Sequence, residues 1–528
     1  MNPDSDTAAL RAEANALAAR RDWPAAADRF RRLAQRDPAD AAALVALARA
    51  EALCGHHRAS HAAAMAAAAA APRQWPHALA LARLLCRLHA VPALVALAHS
   101  WLPRAGDAPP ADLVDMADLL GHEDAHAEAL PWLDLALARD PGFAPAHYVR
   151  GSTRLFFGDM DGARDDLERA IALAPHFAHA HWRLSELRPR EETEARARVH
   201  RLRAARDGVD PGSEHDIHFS HALFAELHRL GEHDAAWQAL ERGMRAKRAS
   251  FAYDVGDDLR LMRDIAIRCD GGFVAGDGHP DGDGPAPVFI VGLFRSGTTL
   301  MERVLGGHPE VAEGGETMGF AAALRRAVDH RGRGVIDQDT LQRLDTVDWP
   351  ALGAGYLAAE SWRAHGRRYW TEKLPSNFQL LGLVARALPR ARFVHMRRAP
   401  MDVCFANLRM LYGGFCRYSY DQREIAAFHH GYEALMAHWR AVLGARLLDV
   451  SLDDLTRSPE REARRALAHC GLDYDPAVLD IATRPGAVST ASAAQVRGAI
   501  RATGEPAWVP YHRHLRPLEA GLAAGGPA

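Results

Sequence analysis

The chain has 528 residues, of which 48% are hydrophobic and 25% are charged, and its net charge is −3. This length fits two to four domains, and the near-neutral charge gives no global reason to expect nucleic acid or an anionic membrane as a partner. The six cysteines have no paired spacing, the N-terminus lacks a signal pattern, and no run of about 18 apolar residues occurs. We therefore expect a cytoplasmic protein with reduced thiols and no membrane span.

The first half of the chain is rich in alanine, leucine and arginine at helical spacing, and it repeats itself every 34 residues. Pro38 recurs as Pro72, and Pro141 recurs as Pro175. A turn glycine lies 17 residues before the later proline of each pair, as Gly158 does before Pro175. This pattern is typical of helix–turn–helix repeats and resembles tetratricopeptide repeats over roughly residues 5–250.

Stacked helix pairs form a rod with a concave surface, because one pair alone cannot bury its apolar face. Such a surface either binds a protein or peptide partner or serves as a structural arm, and the repeat architecture by itself names no ligand. Over Arg73–Asp140 the spacing of these prolines and turn glycines departs from the 34-residue period. Glu214–Arg248, with a turn at Gly231, fits a last unit.

The composition changes after the repeats. Residues 251–286 contain a helical stretch followed by a Gly/Asp/Pro-rich linker, and then β-branched runs alternate with helical stretches. This alternation predicts a parallel α/β domain over residues 287–518, followed by a flexible tail at 519–528. The strand candidates are Val288–Val291, Glu310–Ala312, Arg368–Thr371, Arg392–Met396 and Leu447–Val450, and the helix candidates between them are Thr299–Gly306, Gln379–Ala387 and Ile425–Leu443.

A glycine-bracketed loop connects the first strand of this domain to its first helix. Gly292 and Gly297 have the spacing of the phosphate loop GxxxxGK[ST], whose amides and helix N-terminus bind anions. The lysine position, however, holds Thr298, the basic residue is Arg295 inside the loop, and no acidic strand for magnesium is evident. The loop therefore suits a single phosphosulfate group, held by amides and by the hydroxyls of Thr298 and Thr299. A magnesium-dependent kinase and an ordinary glycine turn are the alternatives.

The motifs RSGTTL, HPEVAEGGET, TEKLP and RRAPMDV follow one another in this order. Together they resemble the sulfotransferases, above all tyrosylprotein sulfotransferases and their bacterial relatives with tetratricopeptide repeats. The resemblance covers roughly residues 287–518 and implies 3′-phosphoadenylyl sulfate as co-substrate, 3′-phosphoadenosine 5′-phosphate as product, and no metal. It also implies that the donor is bound by Arg295, Ser296, Gly297, Thr298, Thr299 and Leu300.

Sulfuryl transfer needs a base for the acceptor's proton and cations for the charge on the leaving phosphate. Glu316, on the turn after the second strand, is the candidate base, and Glu310 and Glu313 are weaker candidates. Lys373 ends the third strand, at the sheet edge where open α/β sheets bind ligands, and can stabilise the leaving group beside Arg295. The resemblance implies the same roles for Glu316 and Lys373.

The 3′-phosphate of such a donor requires a second basic site, for which the forked guanidinium of arginine is suited. Arg397 and Arg398 end the fourth strand, and Arg409 lies on the next helix. The resemblance implies Arg398 as the phosphate ligand, with Arg397 as the alternative. It also implies that Ser492 and Arg497 contact the nucleotide from a C-terminal segment that closes over it.

Some positions depart from the family pattern. Ala406 and Leu452 stand where the family has a serine and a tyrosine, and Met318 replaces an arginine of tyrosylprotein sulfotransferases. The first two changes remove hydrogen bonds to the donor, and the third puts tyrosine specificity in doubt. Acceptors of three classes stay open: protein tyrosine, glycan and small molecule. The alternative function is a repeat scaffold whose sulfotransferase-like domain binds nucleotide weakly.

The histidines of the repeat region form two groups at short spacing. They lack the i, i+4 pair with an acidic ligand that marks a zinc helix, so we expect no metal site. These histidines are His176, His179, His181, His215, His218 and His221.

Overall fold

A computed structural model describes residues 3–280, 284–482, 484, 486, 488, 498, 500 and 504–525. Within this part of the chain, no helix has both the length and the apolar character needed to cross a membrane. By their internal contacts the residues fall into two compact units, Met1–Val149 with Met318–Tyr356, and Arg150–Thr317 with Leu357–Ala528.

The N-terminal part of the chain is entirely helical in its regular structure. Its helices are α1 (Pro3–Ala19), α2 (Trp23–Arg36), α3 (Ala41–Cys54), α4 (His57–Ala70), α5 (Trp75–Arg87), α6 (Val91–Trp101), α7 (Pro110–His122), α8 (His126–Arg139), α9 (Ala144–Phe157), α10 (Met160–Leu173), α11 (Ala178–Glu186), α12 (Glu192–Asp207), α13 (Glu214–Arg229) and α14 (His233–Ala249).

The helix positions confirm the 34-residue repeat. Helices α2, α4 and α6 begin 34 residues apart, and so do α8 and α10, and α9 and α11. The predicted turn glycines Gly55 and Gly158 have φ of 85° and 84°, a left-handed conformation that glycine adopts without steric cost. The 3-10 helix Leu102–Asp107 interrupts the 34-residue period within Arg73–Asp140, the stretch that was expected to depart from it. Helices α13 and α14 form the expected last unit, with Gly231 in the turn between them.

The C-terminal part alternates strands and helices. Its elements are α15 (Val255–Arg268), α16 (Gly271–Val274), β1 (Ala286–Gly292), α17 (Thr298–Leu305), β2 (Val311–Ala312), α18 (Gly319–Val328), α19 (Gln338–Gln342), α20 (Trp349–Glu360), β3 (Tyr369–Glu372), α21 (Leu381–Ala387), β4 (Arg392–Arg397), α22 (Pro400–Leu408), α23 (Gln422–Leu443), β5 (Leu447–Ser451), α24 (Leu452–Arg457), α25 (Pro459–His469) and α26 (Arg516–Ala523). Short 3-10 helices join several of them, at Leu344–Thr346, Ser361–Ala364, Pro375–Leu380, Arg417–Tyr420, Gly444–Arg446, Pro476–Leu479 and Val509–His514.

Among the described residues, five strands form one parallel sheet in the order β2-β3-β1-β4-β5. The central strand β1 is buried along its whole length, as strands covered on both faces are. The predicted strands are confirmed to within one or two residues, and so is the expected fold class, a tetratricopeptide-like helical repeat followed by a parallel α/β domain. Because all strands are parallel, the loops after β1, β3 and β4 leave the sheet at the same edge.

The C-terminal helix α26 packs against α23. The side chain of Leu518 is fully buried, its backbone N–H donates to Gln422 Oε1 at 3.2 Å, and His430 Nε2 lies 3.0 Å from the carbonyl oxygen of Gly521. The segment predicted as a tail from residue 519 therefore begins inside a packed helix.

In the first unit, the side chain of Trp132 is fully buried and stacks on Trp75 with ring centroids 5.7 Å apart. We expect Trp132→Ala to lower the free energy of unfolding by about 3–5 kcal/mol, because it leaves a cavity between the helices. Urea denaturation followed by circular dichroism measures this loss. The exposed Leu53, replaced by alanine, is the control. A loss no larger than the control's would contradict this packing.

Candidate active site

The loop after β1 turns sharply before α17 begins. Gly297 has φ of 98°, a left-handed conformation that favours glycine, and a Cβ on it would lie 2.7 Å from Leu452 Cδ1, so the Leu452 side chain would have to shift. Arg295 also has a positive φ, 69°, although it carries a side chain. Such a backbone costs on the order of 1 kcal/mol, and residues held this way are concentrated at functional sites.

Two side chains hold the loop by its carbonyl groups. Asn407 Nδ2 donates to the carbonyl oxygen of Phe294 at 2.7 Å, and Arg398 Nη1 donates to that of Arg295 at 3.0 Å. Tyr412 Oη in turn donates to Asn407 Oδ1 at 2.8 Å. These bonds fix two successive peptide groups. Sequence reasoning missed Asn407, whose only signal was an amide within the otherwise apolar stretch of α22.

Lys373 follows β3 and carries a fully buried ammonium group. Its Nζ lies 2.6 Å from Glu316 Oε1 and 3.8 Å from Glu302 Oε2. Glu302 is on α17 and was not predicted. Its Oε1 accepts hydrogen bonds from Thr371 Oγ1 at 2.7 Å and from the N–H of Gly315 at 3.0 Å. The two carboxylates thus flank one buried cation, as a buried charge requires.

The turn that carries Glu316 is bonded along the end of β3. The N–H of Gly314 donates to Thr371 Oγ1 at 3.0 Å, and the N–H of Lys373 donates to the carbonyl oxygen of Gly315 at 2.9 Å. A Cβ on Gly314 would clash with the carbonyl oxygen of Thr371. The glycine pair before Glu316 is therefore needed for the turn to approach the strand closely enough to bring this carboxylate to Lys373.

Three arginines lie close enough to repel one another. Burial lowers the pKa of Arg409 to about 10, with further lowering by the charges of Arg295 and Arg398. Burial also lowers the pKa of Arg295 and of Arg398, and Arg398 adds to the effect on Arg295. Arg397, the last residue of β4, is exposed instead. A cluster of like charges at this loop favours a polyanion, which would relieve their repulsion.

Two adjoining cavities lie at this loop. The smaller, of about 210 Å³, is lined by Glu316, Thr298 and Thr299, and the larger, of about 980 Å³, by Arg409. Arg295 lines both. Repeat residues also line both cavities, namely Trp182 and Glu186 of α11.

Among the described residues, the hydroxyl of Ser296 is buried and has no hydrogen-bond partner. A buried polar group in this condition costs about 1–3 kcal/mol, which a ligand oxygen at the loop would recover. Ser296 and the three arginines therefore fit a phosphate-containing ligand.

The remaining predicted residues lie as follows. Leu300 is buried in α17, while Ser492 and Arg497 lie outside the described residues. Of the weaker candidates for a base, Glu310 lies 3.7 Å from Arg368, and Glu313 is paired with Arg303 at 3.0 Å.

The two apolar replacements lie in packed surroundings. Ala406 is buried in α22, and Leu452, at the start of α24, packs its side chain on the backbone of Gly297. Of the aromatic residues after α22, Phe415 lines the smaller cavity, whereas Tyr418 stacks on Phe428 with ring centroids 3.6 Å apart. Tyr412 and Phe415 of this segment therefore both line the smaller cavity.

Burial raises the pKa of Glu302 from its ordinary 4.5 to about 7, against the opposing effect of Lys373. Between these values the folded protein holds a proton that the unfolded chain has released, so this group lowers the free energy of unfolding as the pH rises. We expect Glu302→Gln to remove this slope, which amounts to as much as ~1.4 kcal/mol per pH unit. Urea denaturation at several pH values measures it, with Glu310→Gln as the exposed control. If the free energy of unfolding depended on pH in the same way in the wild-type chain and in Glu302→Gln, the burial of this carboxyl group would be contradicted.

Residues 287–476 match a family model described as the sulfotransferase family. An uncharacterized protein of Aquifex aeolicus is 29% identical over 252 residues, which are 46% of this chain and 32% of that protein. Protein-tyrosine sulfotransferase 2 of Gallus gallus is 26% identical over 209 residues, which are 38% of this chain and 56% of that protein. The chain thus spans about a third and just over half of the lengths of these two relatives.

A solved structure of a tetratricopeptide repeat protein from Parabacteroides merdae is 12% identical, with a TM-score of 0.34, and its alignment covers 47% of this chain and 94% of that chain. The family assignment rests instead on the sequence match over the α/β domain and on the motifs that form its loop and strand ends. Residues 287–476 of this chain are a domain of the sulfotransferase family.

Proposed function

We propose that this protein transfers a sulfuryl group from 3′-phosphoadenylyl sulfate to an acceptor hydroxyl. The observation that carries the proposal is the convergence of Glu316, Arg295, Thr298 and Thr299 on one cavity of about 210 Å³, with Lys373 2.6 Å from the Glu316 carboxylate. A carboxylate, two hydroxyls and two cations around a single anion-binding loop supply both the base and the positive charge that this reaction needs.

Glu316 acts as the base. Its carboxylate accepts the proton of the acceptor hydroxyl as the acceptor oxygen bonds to sulfur and the bond from sulfur to the phosphate oxygen breaks. Lys373 holds one carboxylate oxygen of Glu316 at 2.6 Å, and the turn behind it is bonded to β3. The base is therefore oriented before any substrate arrives, which lowers the entropic cost of reaching the reactive geometry.

Arg295 and Lys373 stabilise the negative charge that collects on the leaving phosphate. Arg398 donates a hydrogen bond to the backbone carbonyl of Arg295 and so holds this part of the loop in place. Lys373 lies between the carboxylates of Glu302 and Glu316. Fixed positive groups in a site that excludes water stabilise such charge more than mobile ones do. Ser296, Thr298 and Thr299 supply hydroxyls at the same loop, and Gly297 allows the turn that exposes its amides.

Arg398 and Arg409 are proposed to bind the 3′-phosphate of the donor. Both are half-buried and close to Arg295, whereas the alternative, Arg397, is exposed. Ser492 and Arg497 stay proposed nucleotide contacts on the family resemblance alone.

The acceptor is proposed to reach Glu316 through the larger cavity of about 980 Å³. The repeat helices α11 and α13 line this cavity with Trp182, Glu186, Phe224 and His228. The repeats thereby contribute directly to the path of the acceptor, which supports a protein or peptide acceptor that the repeat surface binds. The apolar Ala406 and Leu452 favour the second candidate, a repeat scaffold with weak nucleotide affinity, and the experiments below separate the two.

Replacing Glu316 by glutamine removes the proposed base while preserving the size of the side chain. We expect transfer of ³⁵S-sulfate from labelled donor to acceptors in a cell extract to fall by about 10²–10⁴-fold, with nucleotide binding retained. Glu310→Gln changes an exposed carboxylate of the same region and is the matched control. Full transfer by Glu316→Gln would remove Glu316 from this role.

Calorimetry with 3′-phosphoadenosine 5′-phosphate in the absence of magnesium tests the donor site. We expect binding by the wild-type chain, and at least about tenfold weaker binding by Arg295→Ala and Arg398→Ala, because each loses charge-assisted hydrogen bonds worth about 1.5–3 kcal/mol.

The variant Arg397→Ala, which removes an exposed guanidinium one residue away, is the control and should bind within about threefold of wild type. No heat from the wild-type chain at millimolar nucleotide would favour the scaffold. Binding that requires magnesium would favour a kinase.

A further inference from the structure

Three side chains of the repeat region bring metal-ligating atoms together. His179 on α11, and Glu214 and His218 on α13, each offer one such atom, and these atoms all lie within 4.8 Å of one another. His179 Nε2 is 3.4 Å from Glu214 Oε1. Ligand atoms around a tetrahedral zinc ion, with bonds of about 2.1 Å, are separated by about 3.4 Å. One pair thus has this spacing, while the rings of His179 and His218, with centroids 4.0 Å apart, would have to turn for both to bind one ion.

The ring of His218 is oriented as metal-binding imidazoles are. Its Nδ1 lies 2.8 Å from the backbone carbonyl oxygen of Glu214, to which it donates, so Nε2 is the atom that can accept a metal. The ring is buried and packs edge-on against Trp182, with centroids 5.6 Å apart. Glu214 remains exposed, which leaves an approach from solvent. A buried, oriented ring and an exposed carboxylate together form an accessible site with one rigid ligand.

We propose that His179, Glu214 and His218 bind a divalent transition metal ion of the kind that imidazole and carboxylate prefer, with Zn²⁺ as the representative. Two nitrogen ligands and one oxygen ligand suit zinc, and solvent completes the coordination. The site is separate from the residues proposed for sulfuryl transfer, and its existence does not depend on that function.

A metal ion here would join two helices of the repeat. α11 packs against α13, and both line the cavity of about 980 Å³ beside Arg295. The ligand His218 touches Trp182, which lines both cavities. The ion would therefore stiffen the wall of the cavity by crosslinking the helices behind it, in the way that a structural zinc site stabilises a small fold.

The full chain, freed of metal with a chelator, is titrated with Zn²⁺ in competition with a chromophoric indicator. We expect one equivalent to bind the wild-type chain, and binding to weaken at least 10- to 100-fold in Glu214→Gln and in His179→Asn. Glu214 is exposed and His179 is partly exposed, so both variants should fold. Zn²⁺ should raise the melting temperature of wild type and not that of these variants.

The controls are His215→Asn and His176→Asn, which remove exposed histidines next to the site and should bind Zn²⁺ as the wild-type chain does. Visible absorption of bound Co²⁺ reports the ligand set directly, and it should disappear in Glu214→Gln and His179→Asn only. Absence of zinc binding by the wild-type chain would overturn the proposal. Equal weakening in the control variants would overturn it as well, because the ion would then be held by surface histidines in general.

Discussion

The candidate site depends on one buried cation, the ammonium group of Lys373. A fully buried charge is tolerated only where opposite charges and hydrogen bonds replace water, and here Glu302 and Glu316 supply them from two different elements. Glu302 comes from α17, the helix that follows the loop after β1, and Glu316 comes from the turn after β2. Because both carboxylates contact this one ammonium group, α17, the turn that carries Glu316 and the end of β3 are held together.

The loop after β1, by contrast, is surrounded by positively charged side chains. Burial lowers the pKa of Arg295 and of Arg409, and the charge of Arg398 lowers both further, so positive charges lie close together here. Hydrogen bonds from Asn407 and Arg398 to the loop carbonyls hold the backbone in place despite this repulsion. A phosphate-containing ligand would relieve this repulsion. The two parts of the candidate site thus differ: two carboxylates flank Lys373, whereas the arginines beside the loop form a cluster of like charge.

Much of this arrangement could be predicted from the sequence because it is local. Gly292 and Gly297 mark the loop by their spacing, and the strand ends on either side of it indicate where Glu316 and Lys373 lie. Glu302 and Asn407 could not be found in this way. Both occupy helices, where a carboxylate or an amide has the same sequence signature whether it faces solvent or a buried cation, and only packing against β3 or the loop gives them their partners.

The sequence by itself determined the 34-residue period, the turn glycines and the alternation of strands and helices, because these follow from backbone hydrogen bonding and from the spacing of apolar residues along a few turns. The structure was needed to show that Arg398 contacts the loop and that Arg397 is exposed, because neighbouring residues at a strand end point in opposite directions and the sequence does not say which one faces the loop. The grouping of His179 with Glu214 and His218 also required it. These residues lie on helices separated by α12 in the chain, and only the packing of α11 against α13 brings their ligand atoms together.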